Sequence, residues 1–414
     1  MSNLPKDWEL KTLGELVSIL TDYTANGSFA SLKENVTYFN EPNFAALVRT
    51  TDLKKKEFKP ERFTDKRGYE FLKKSALYGG EILMANVGSI GEVYIVPEVD
   101  FPMTLAPNMY LIKYNDNLIN TYAYYFMNSS IFINQLLSKI ASTTLQAVNK
   151  ANFKSIKIPL PPLEEQKKIA DILSTVDKKI AFVEENINAT EELKKGLMQK
   201  LLTEGIGHTE FKNSELGRIP ESWEIDKLEN LTTKIGDGLH GTPKYVEQSD
   251  YYFINGNNLN GESIEINKNT KCVNEEEYIK NKKILDNTTI LLSINGTIGS
   301  LAYYNNENVM LGKSVAYMNV NSKILKQFLF YLLKSSKILE YFILELTGTT
   351  IKNLSLKTIR NTKIPLPPLE EQKQIAEILS TVDNKLENLK EKKQSFEELK
   401  KGLMQKLLTG EVRV

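Results

Sequence analysis

Two stretches of the chain place apolar residues at alternating spacings of three and four positions. The apolar positions of the first stretch are Leu173, Val176, Ile180, Val183, Ile187, Leu197 and Leu201. Those of the second are Leu379, Val382, Leu386, Leu389, Phe396, Leu403 and Leu407. Such spacing forms a heptad seam, and it predicts two long helices that each bury one face against a partner helix.

Each predicted helix has a start signal. A Pro-Pro pair at residues 161–162, and again at 367–368, favours an extended segment followed by a helix. Glu164 and Glu370 then place negative charge near the positive end of the helix dipole.

A glycine interrupts each helix at an equivalent position, Gly196 in the first and Gly402 in the second. Glycine inside a helix costs about 1 kcal/mol relative to alanine. We therefore expect another backbone to approach closely at both positions, and a simply tolerated glycine is the alternative.

The two helical stretches belong to an internal repeat with an offset of 206 residues (365 − 159 = 206). Residues 157–177 (KIPLPPLEEQKKIADILSTVD) recur at 363–383 with two differences. Residues 191–203 (EELKKGLMQKLLT) recur unchanged at 397–409. The residues between these blocks share almost nothing, so the identical blocks indicate either a shared requirement, such as a repeated protein-docking surface, or homogenisation by recombination.

The regions before the helices match more weakly. LPKDWELKTLGEL, from Leu4, is similar to IPESWEIDKLENL, from Ile219, and a G-[ST]-I-G turn occurs at 88–91 and at 296–299. The chain is therefore a tandem duplication, in which a variable globular part precedes each near-identical helical segment.

The two helices are the obvious partners for each other. Antiparallel pairing would place the two globular parts at opposite ends of a rod. The predicted fold class is therefore α+β, with two globular domains separated by an antiparallel two-helix coiled coil and related by an approximate two-fold axis. The predicted globular domains are 1–156 and 205–362, and the predicted helical regions are 157–204 and 363–414.

Composition is that of an ordinary globular protein. The 414 residues are 41% hydrophobic and 25% charged, and the net charge of +1 lacks the basic excess usual in a protein that neutralises many phosphates. The single cysteine, and a start (MSNLPKDWEL) without the apolar core of a signal peptide, predict a cytoplasmic protein. The most apolar long stretch, 328–346, is interrupted by four charged residues, which predicts an amphipathic helix and not a membrane span.

Motifs for catalysis are absent from the sequence. It has neither the Asp/Asn-Pro-Pro-aromatic motif of an amino-methyltransferase nor a G-x-x-x-x-G-K-[ST] phosphate loop. The only histidines, His208 and His240, lie in different segments, so no metal site is expected. The sequence therefore predicts a non-catalytic protein.

The duplicated motifs resemble the specificity subunits of type I restriction-modification systems. The resemblance is carried by the paired IPLPPLEEQ segments, the paired ELKKGLMQKLLT helix ends, the paired P-x-x-W-E motifs and the G-[ST]-I-G turns, and it covers essentially the whole chain. It implies that each globular domain is a target recognition domain, which binds one half of a bipartite site in double-stranded DNA. It also implies that the coiled coil sets the spacer between the half-sites.

The resemblance further implies protein partners. Two modification subunits, which are S-adenosylmethionine-dependent adenine methyltransferases, would dock on the coiled coil, and restriction subunits with ATP-driven translocase and nuclease activity would complete the complex. S-adenosylmethionine, ATP and Mg are then expected on the partner subunits, and no cofactor on this chain. Because the two domains carry different side chains in matching places, the DNA target should be asymmetric.

Two loops rich in glycine and short polar residues are the first candidate DNA contacts. Asp22 and Asp237 each lie 14 residues after a tryptophan (22 − 8 and 237 − 223), so the loops correspond. Short polar side chains suit hydrogen bonds to base edges and phosphates, and a surface turn without contact is the alternative. The candidates near the first loop are Tyr23, Asn26, Ser28 and Lys33. Those in the second are Asp237, His240, Thr242, Lys244 and Tyr245.

Glycine turns and basic residues supply further candidates. The G-[ST]-I-G turns follow strands predicted at 81–85 and 289–293, and they either approach DNA closely or simply form tight hairpins. Arg49 opens a basic stretch, 49–74, in which ten Lys or Arg residues face five acids, and arginine can form two hydrogen bonds with guanine. The candidates of the turns are Asn86, Ser89, Asn295 and Thr297. The remaining candidates are Thr143, Thr144, Gln146, Lys313, Ser314, Thr349, Thr350 and Lys352.

Two other functions remain open from the sequence. One is a self-contained DNA methyltransferase or nuclease whose active site has no recognisable motif. The other is a coiled-coil scaffold without DNA contact, which the near-neutral charge keeps open.

Overall fold

The chain divides into two compact units in the computed structural model. The described residues are 4–55, 57–140, 148–348 and 352–414. Unit 1 comprises Met1–Glu184 and Glu391–Val414, and unit 2 comprises Glu185–Lys390. Each unit therefore joins a sequence-continuous domain to a part of the opposite long helix.

Unit 1 alternates short strands and short helices before the first long helix. Its strands are β1 (Glu9–Thr12), β2 (Val17–Asp22), β3 (Ala45–Val48), β4 (Phe63–Thr64), β5 (Ala76–Leu77), β6 (Ile82–Ala85), β7 (Val93–Ile95), β8 (Met103–Leu105), β9 (Met109–Tyr114) and β10 (Lys157–Leu160). Its helices are α1 (Leu13–Leu16), α2 (Phe29–Asn35), α3 (Thr50–Leu53), α4 (Lys66–Phe71), α5 (Asn120–Met127), α6 (Ser130–Ile140) and α7 (Lys150–Lys154). The long helix α8 (Leu163–Glu204) follows and belongs to unit 2 from Glu185 onward.

Unit 2 follows the same plan. Its strands are β11 (Phe211–Ser214), β12 (Gly217–Pro220), β13 (Glu224–Lys227), β14 (Thr232–Asp237), β15 (Tyr245–Val246), β16 (Tyr251–Ile254), β17 (Leu259–Asn260), β18 (Ser263–Ile264), β19 (Cys272–Val273), β20 (Thr289–Ser293), β21 (Leu301–Tyr303), β22 (Val309–Leu311), β23 (Val315–Val320) and β24 (Lys363–Leu366). Its helices are α9 (Glu275–Asn281), α10 (Lys326–Lys334), α11 (Ser336–Leu344) and α12 (Leu356–Asn361). The long helix α13 (Leu369–Leu407) follows and belongs to unit 1 from Glu391 onward.

The two units share a sheet topology. The central antiparallel sheet has the order β2-β9-β6-β7 in unit 1 and β14-β23-β20-β21 in unit 2. A second, mixed sheet contains the parallel pair β3/β8 in unit 1 and β16/β22 in unit 2. The parallel partners Ala46↔Met103 and Tyr252↔Val309 differ by the repeat offset of 206 residues. The predicted α+β class and duplication are thus confirmed, as are the strands predicted at 81–85 and 289–293.

Successive side chains of the central strands point to opposite faces of the sheet, so the core forms one layer on each face. In β6, Ile82 and Met84 face helices α5 and α6, whereas Leu83 faces the mixed sheet. In β20, Ile290 and Leu292 face the helical side, whereas Leu291 faces the mixed sheet. Each central sheet is therefore buried on both faces, and its strand ends and loops remain for other contacts.

A buried glutamine in each repeated segment attaches the long helix to the domain before it. Gln166, 1% exposed, accepts a hydrogen bond from the Ile119 N–H (2.9 Å). Its amide N–H₂ donates to the carbonyl oxygens of Asn117 (3.0 Å) and Pro161 (2.9 Å). Gln372 makes the same three bonds to Leu325, Lys323 and Pro367.

A glutamate beside each glutamine holds a tryptophan and a segment that follows the other long helix. In unit 1, the Trp8 indole N–H donates to Glu165 (2.9 Å), and the Arg413 guanidinium bonds both Glu165 and Asp7. In unit 2, the corresponding carboxylate of Glu371 binds Trp223, His208 and the Ile206 N–H.

Ion pairs show the direction of the long helices within each unit. In unit 1, Asp177 pairs with Lys400 (2.6 Å) and Glu184 pairs with Lys393 (3.6 Å), so residue numbers rise along α8 as they fall along α13. The corresponding pairs of unit 2 are Glu191–Lys390 and Lys194–Asp383. The predicted seam residues are all buried or half-buried, as the heptad pattern requires.

Two predictions about helices are wrong. A Cβ atom added at Gly196 or at Gly402 would have open space around it, so neither glycine marks a close backbone approach. The stretch 328–346 is two helices and not one, because α10 ends at Lys334 and the Ser335 side chain caps α11 by accepting from the Ile338 N–H.

Candidate nucleic-acid interface

The candidate loops of each unit come together at one edge of the central sheet. In unit 1, β2 ends at Asp22 opposite Tyr110, and β6 ends at Ala85 opposite Met109. In unit 2, β14 ends at Asp237 opposite Ala316, and β20 ends at Ser293 opposite Val315. We call this border, with the loops that follow it, the loop edge of each unit. The predicted correspondence of Asp22 and Asp237 is confirmed, since each is the last residue of an equivalent strand.

Asp22 organises the loop edge of unit 1. Its carboxylate accepts hydrogen bonds from the Thr24 hydroxyl (2.7 Å) and the Ala25 N–H (3.0 Å), and it pairs with Lys150 (2.6 Å). Burial raises the pKa of Asp22, but Lys150 and Thr24 outweigh that effect and hold the pKa below its usual value. The sequence analysis missed Lys150, which lies far from Asp22 along the chain.

Three candidates of unit 1 line one cavity at this edge. Tyr23, Lys33 and Asn86 all contribute to its wall, together with Tyr38 and Asn108, which the sequence analysis did not single out. The hydroxyls of Tyr23 and Tyr38 are hydrogen-bonded to each other at 2.7 Å. Burial and this bond raise the pKa of Tyr23 well above its usual value, so the hydroxyl stays protonated.

Other candidates of unit 1 already serve the fold. The Asn26 amide donates to Ser75 (2.8 Å) and to the Tyr23 carbonyl, which fixes the loop. Ser28 caps helix α2 by accepting from the Ser31 N–H. Ser89 lies in the turn between the paired strands β6 and β7, which confirms the hairpin interpretation of that turn, and its hydroxyl accepts from Lys54 (3.1 Å).

The Arg49 guanidinium is engaged by carboxylates. It bonds Asp52 through two nitrogens, at 3.0 and 2.7 Å, and Glu61 through one, at 3.0 Å. Asp52 is fully buried and Arg49 is 29% exposed. A two-bond contact from Arg49 to guanine would therefore require these pairs to open.

The first loop of unit 2 lies against the neighbouring strand ends. The Leu239 N–H donates to the Leu311 carbonyl (2.7 Å), and the Gly238 N–H donates to the Val315 carbonyl (3.1 Å). His240, which is exposed, hydrogen-bonds Asp237 at 2.7 Å. This pair occupies the loop-edge position that Asp22 and Lys150 hold in unit 1, with different donor chemistry.

The remaining candidates of unit 2 lie on adjoining loops. The Ser314 hydroxyl donates to Asn255 (2.9 Å), and the neighbouring Lys313 is exposed. Asn295 forms a β-bridge with Asn353, which brings the exposed Lys352 to the same edge. The hydroxyl of Thr297 lies 3.2 Å from that of Ser293, in the turn between the paired strands β20 and β21.

An aromatic and basic group continues from the second loop. Thr242, Lys244 and Tyr245 are exposed. The Tyr245 ring contacts Phe253 edge-on, and the Lys271 ammonium lies 4.4 Å from its centroid. Lys271 was not a candidate from sequence, because no local motif sets it apart from other surface lysines. The candidates Thr143, Thr144, Gln146, Thr349 and Thr350 lie outside the described residues.

No group of three or more His, Cys, Asp or Glu side chains in the described part of the chain is placed to hold a metal ion. None of the described helices combines the length and apolar character that crossing a membrane requires.

Sequence comparison matches both halves of the chain to one family model. The model describes the type I restriction modification DNA specificity domain, and it matches residues 5–192 and 220–398. The specificity subunit of the type I restriction enzyme MjaVIII from Methanocaldococcus jannaschii is 31% identical over 433 residues, which cover 99% of this chain and 94% of that protein.

Solved structures share the fold. A chain from work on complex assembly and conformational transition of the type I R-M system superposes with a TM-score of 0.60, at 19% identity and with all of both chains covered. The type I restriction-modification S subunit from M. genitalium gives a TM-score of 0.56 at 18% identity, covering 99% of this chain and 97% of that one.

Proposed function

The chain belongs to the type I restriction-modification DNA specificity family, and from this premise we propose that it binds an asymmetric, two-part site in double-stranded DNA. Each unit reads one half-site with its loop edge, and the chain performs no chemistry itself. The proposal rests on one observation. The two loop edges lie at the ends of equivalent strands but present different groups, Asp22 with Lys150 in unit 1 and Asp237 with His240 in unit 2. Two units with the same fold but different side chains at the loop edge are suited to bind two half-sites of different base sequence.

The long helices set the spacer between the half-sites in this proposal. Opposed residue numbering in the ion pairs of each unit supports an antiparallel coiled coil. Because helix length is fixed by residue count, such a coil fixes the number of unread base pairs between the half-sites.

Repeated exposed residues support docking of two copies of one partner. Leu193 and Leu399, 52% and 49% exposed, are identical in sequence context and lie one turn before Gly196 and Gly402. In the described part of the chain, the identical blocks thus present leucines that are half exposed and glycines with open space around them. We assign these faces to two modification subunits, with restriction subunits completing the complex, and we assign S-adenosylmethionine, ATP and Mg to those partners.

Methylation-sensitive sequencing of the host genome tests the proposal. We expect one bipartite, asymmetric, adenine-methylated motif that disappears when the gene for this chain is deleted. Replacing residues 5–155 by the corresponding part of a relative should change one half of the motif and leave the other half and the spacer unchanged.

Two results would contradict the proposal. Unchanged methylation sites after the domain replacement would indicate a scaffold without DNA contact. Methyl transfer or cleavage by the purified chain alone would indicate a self-contained enzyme.

A further inference from the structure

A cavity of about 530 Å³ opens at the loop edge of unit 1. It lies between the turn Tyr23–Asn26, helix α2 and the ends of strands β6 and β9. Its volume falls within the range of roughly 300–1,000 Å³ that is typical of small-molecule sites. It is therefore large enough for one nucleobase with its sugar.

Aromatic rings form one side of this cavity. Phe29 is 83% exposed although it is large and apolar, and the fold gives it no core to pack in. Tyr38 is 49% exposed, and its hydroxyl is held by the buried Tyr23, so the orientation of the ring is fixed in advance. Exposed aromatic faces of this kind serve as stacking platforms for bases.

Amide groups form another side. The side-chain oxygen of Asn86 is buried and has no hydrogen-bond partner among the residues that the structure describes. The Asn86 N–H donates to the carbonyl of Asn108, an exposed residue whose φ of 72° is uncommon outside glycine. An amide offers a donor and an acceptor side by side, which is the pattern that recognises the edge of a base.

The charges around the cavity suit a nucleotide. Lys33 is exposed at the wall and forms no ion pair with a described residue, so its ammonium is available to a phosphate. Asp22 also lines the cavity, but its charge is balanced by Lys150. The cavity wall therefore has no unpaired carboxylate at Asp22 to repel DNA.

The loop of unit 2 that corresponds to the Tyr23 turn packs differently, although the two units share a fold. At the position of Tyr23, unit 2 has Gly238, whose backbone lies so close to the next strand that an added Cβ would be 2.2 Å from the Leu311 carbonyl oxygen. The loop of unit 2 thus packs directly against the neighbouring strand, whereas in unit 1 the buried Tyr23 shares the wall of the cavity with Asn86 and Asn108.

Building on the proposed function, we propose that this cavity holds one nucleobase of the first half-site that has swung out of the DNA stack. The base stacks on Phe29 and Tyr38, Asn86 or Asn108 bonds its edge, and Lys33 contacts a flanking phosphate. Pockets for extrahelical bases combine aromatic stacking with hydrogen bonds in this way, and the cost of opening a base pair is smaller at a mismatch.

Binding of the full chain, in complex with its modification subunits, to altered target duplexes tests this inference. At one base pair of the first half-site, changing the partner base to make a mismatch should strengthen binding about tenfold, because less energy is spent on opening the pair. Removing the swung-out base itself, to leave an abasic site, should bind about tenfold more weakly than that mismatch, because stacking is lost.

The variant Phe29→Ala supplies the decisive comparison. It should remove most of the difference between the mismatched and abasic duplexes, whereas Tyr78→Ala, at a 69% exposed aromatic residue that does not line the cavity, should keep it. Equal binding of both duplexes by the wild-type complex, or a difference that survives Phe29→Ala, would overturn the inference. Failure to bind any specific duplex would instead overturn the proposed function.

Discussion

Gln166 and Gln372 illustrate, at the scale of single residues, why parts of the repeat are identical. Each side chain satisfies one N–H and two carbonyl groups of the turn into its long helix. No other side chain matches this set of one acceptor and two donors at that length. The fold itself therefore requires the glutamine that ends each IPLPPLEEQ segment.

Replacing Gln166 by leucine should destabilise unit 1 by about 1–3 kcal/mol, because buried backbone groups lose their partners. Urea unfolding of the full chain measures this as an earlier first transition. Gln199→Leu, at an exposed glutamine of the same helix, is the control and should stay within about 0.5 kcal/mol of wild type. Equal midpoints for Gln166→Leu and wild type would contradict the assigned role.

Glu165 gives unit 1 a dependence on pH. Burial raises the pKa of this carboxyl, but hydrogen bonds from Arg413 and Trp8 outweigh burial and lower it below its ordinary value of 4.5. A pKa lowered by folding stabilises the folded state above about pH 4.5, and that contribution is lost as the pH falls through the folded pKa.

We therefore expect Arg413→Ala to lower the urea midpoint of unit 1 at pH 7, and the difference from wild type to shrink as the pH falls below 4.5. Urea titrations at several pH values provide the measurement. Lys406→Ala is the control, since Lys406 is an exposed lysine whose carboxylate partner is 3.9 Å away. The Arg413 guanidinium also lies 5.9 Å from the centroid of the Trp8 ring. A difference that stays constant with pH would show that Arg413 acts through this ring contact and not through the carboxylates.

The sequence predicts where the loop edge lies, but it does not predict which other side chains contact it. The tryptophan spacing placed Asp22 and Asp237 at equivalent strand ends, because spacing along the chain reports strand length. It did not reveal Lys150, Tyr38 or Asn108, since these residues are distant along the chain and approach the loop only in the folded structure. Arg49 looked free in sequence because nothing in the sequence marks its partners, one acid three residues away and one twelve residues away, as bonded to it.

At the scale of elements, the long helices were the most predictable part of the chain. The spacing of apolar residues by three and four positions is enough to predict their seam, and the Pro-Pro pairs predict where the helices begin. The stretch 328–346 was mistaken for one helix, because Ser335 can cap a helix as well as sit inside one. The glycine prediction failed because Gly196 and Gly402 lie outside the apolar seam, where an added Cβ would have open space around it.

Open space at Gly196 makes a stability prediction possible. Gly196→Ala should stabilise the free chain by about 1 kcal/mol, because alanine loses less backbone entropy and meets no neighbour. Thermal or urea unfolding checks this. Gly205→Ala, at a φ of 67° and with Glu371 2.3 Å from the added Cβ, should destabilise the chain instead.

At the scale of the whole molecule, the docking assignment predicts loss of assembly without loss of folding. Leu193→Asp combined with Leu399→Asp adds charge to both exposed repeated faces, and it should abolish co-purification of modification subunits while leaving the unfolding midpoint nearly unchanged. Asn188→Asp combined with Asn384→Asp adds the same charge outside the identical blocks and should assemble normally. Normal assembly of the leucine variant would remove these faces from the interface.

The hydrogen bonds of Glu165 and Glu371 form in a fixed order during biosynthesis. Glu165, at the start of the first long helix, is bonded by Arg413, whereas Glu371 is bonded by groups that follow the end of that first helix. When Glu371 is made, the residues of the segment 206–208 that bond it have therefore already been made. The amino-terminal half leaves the ribosome first, but its Glu165 can be bonded by Arg413 only after a further 248 residues have been made. Until then the residues of α13 that pack in the same cluster as Leu173 are not available to cover it.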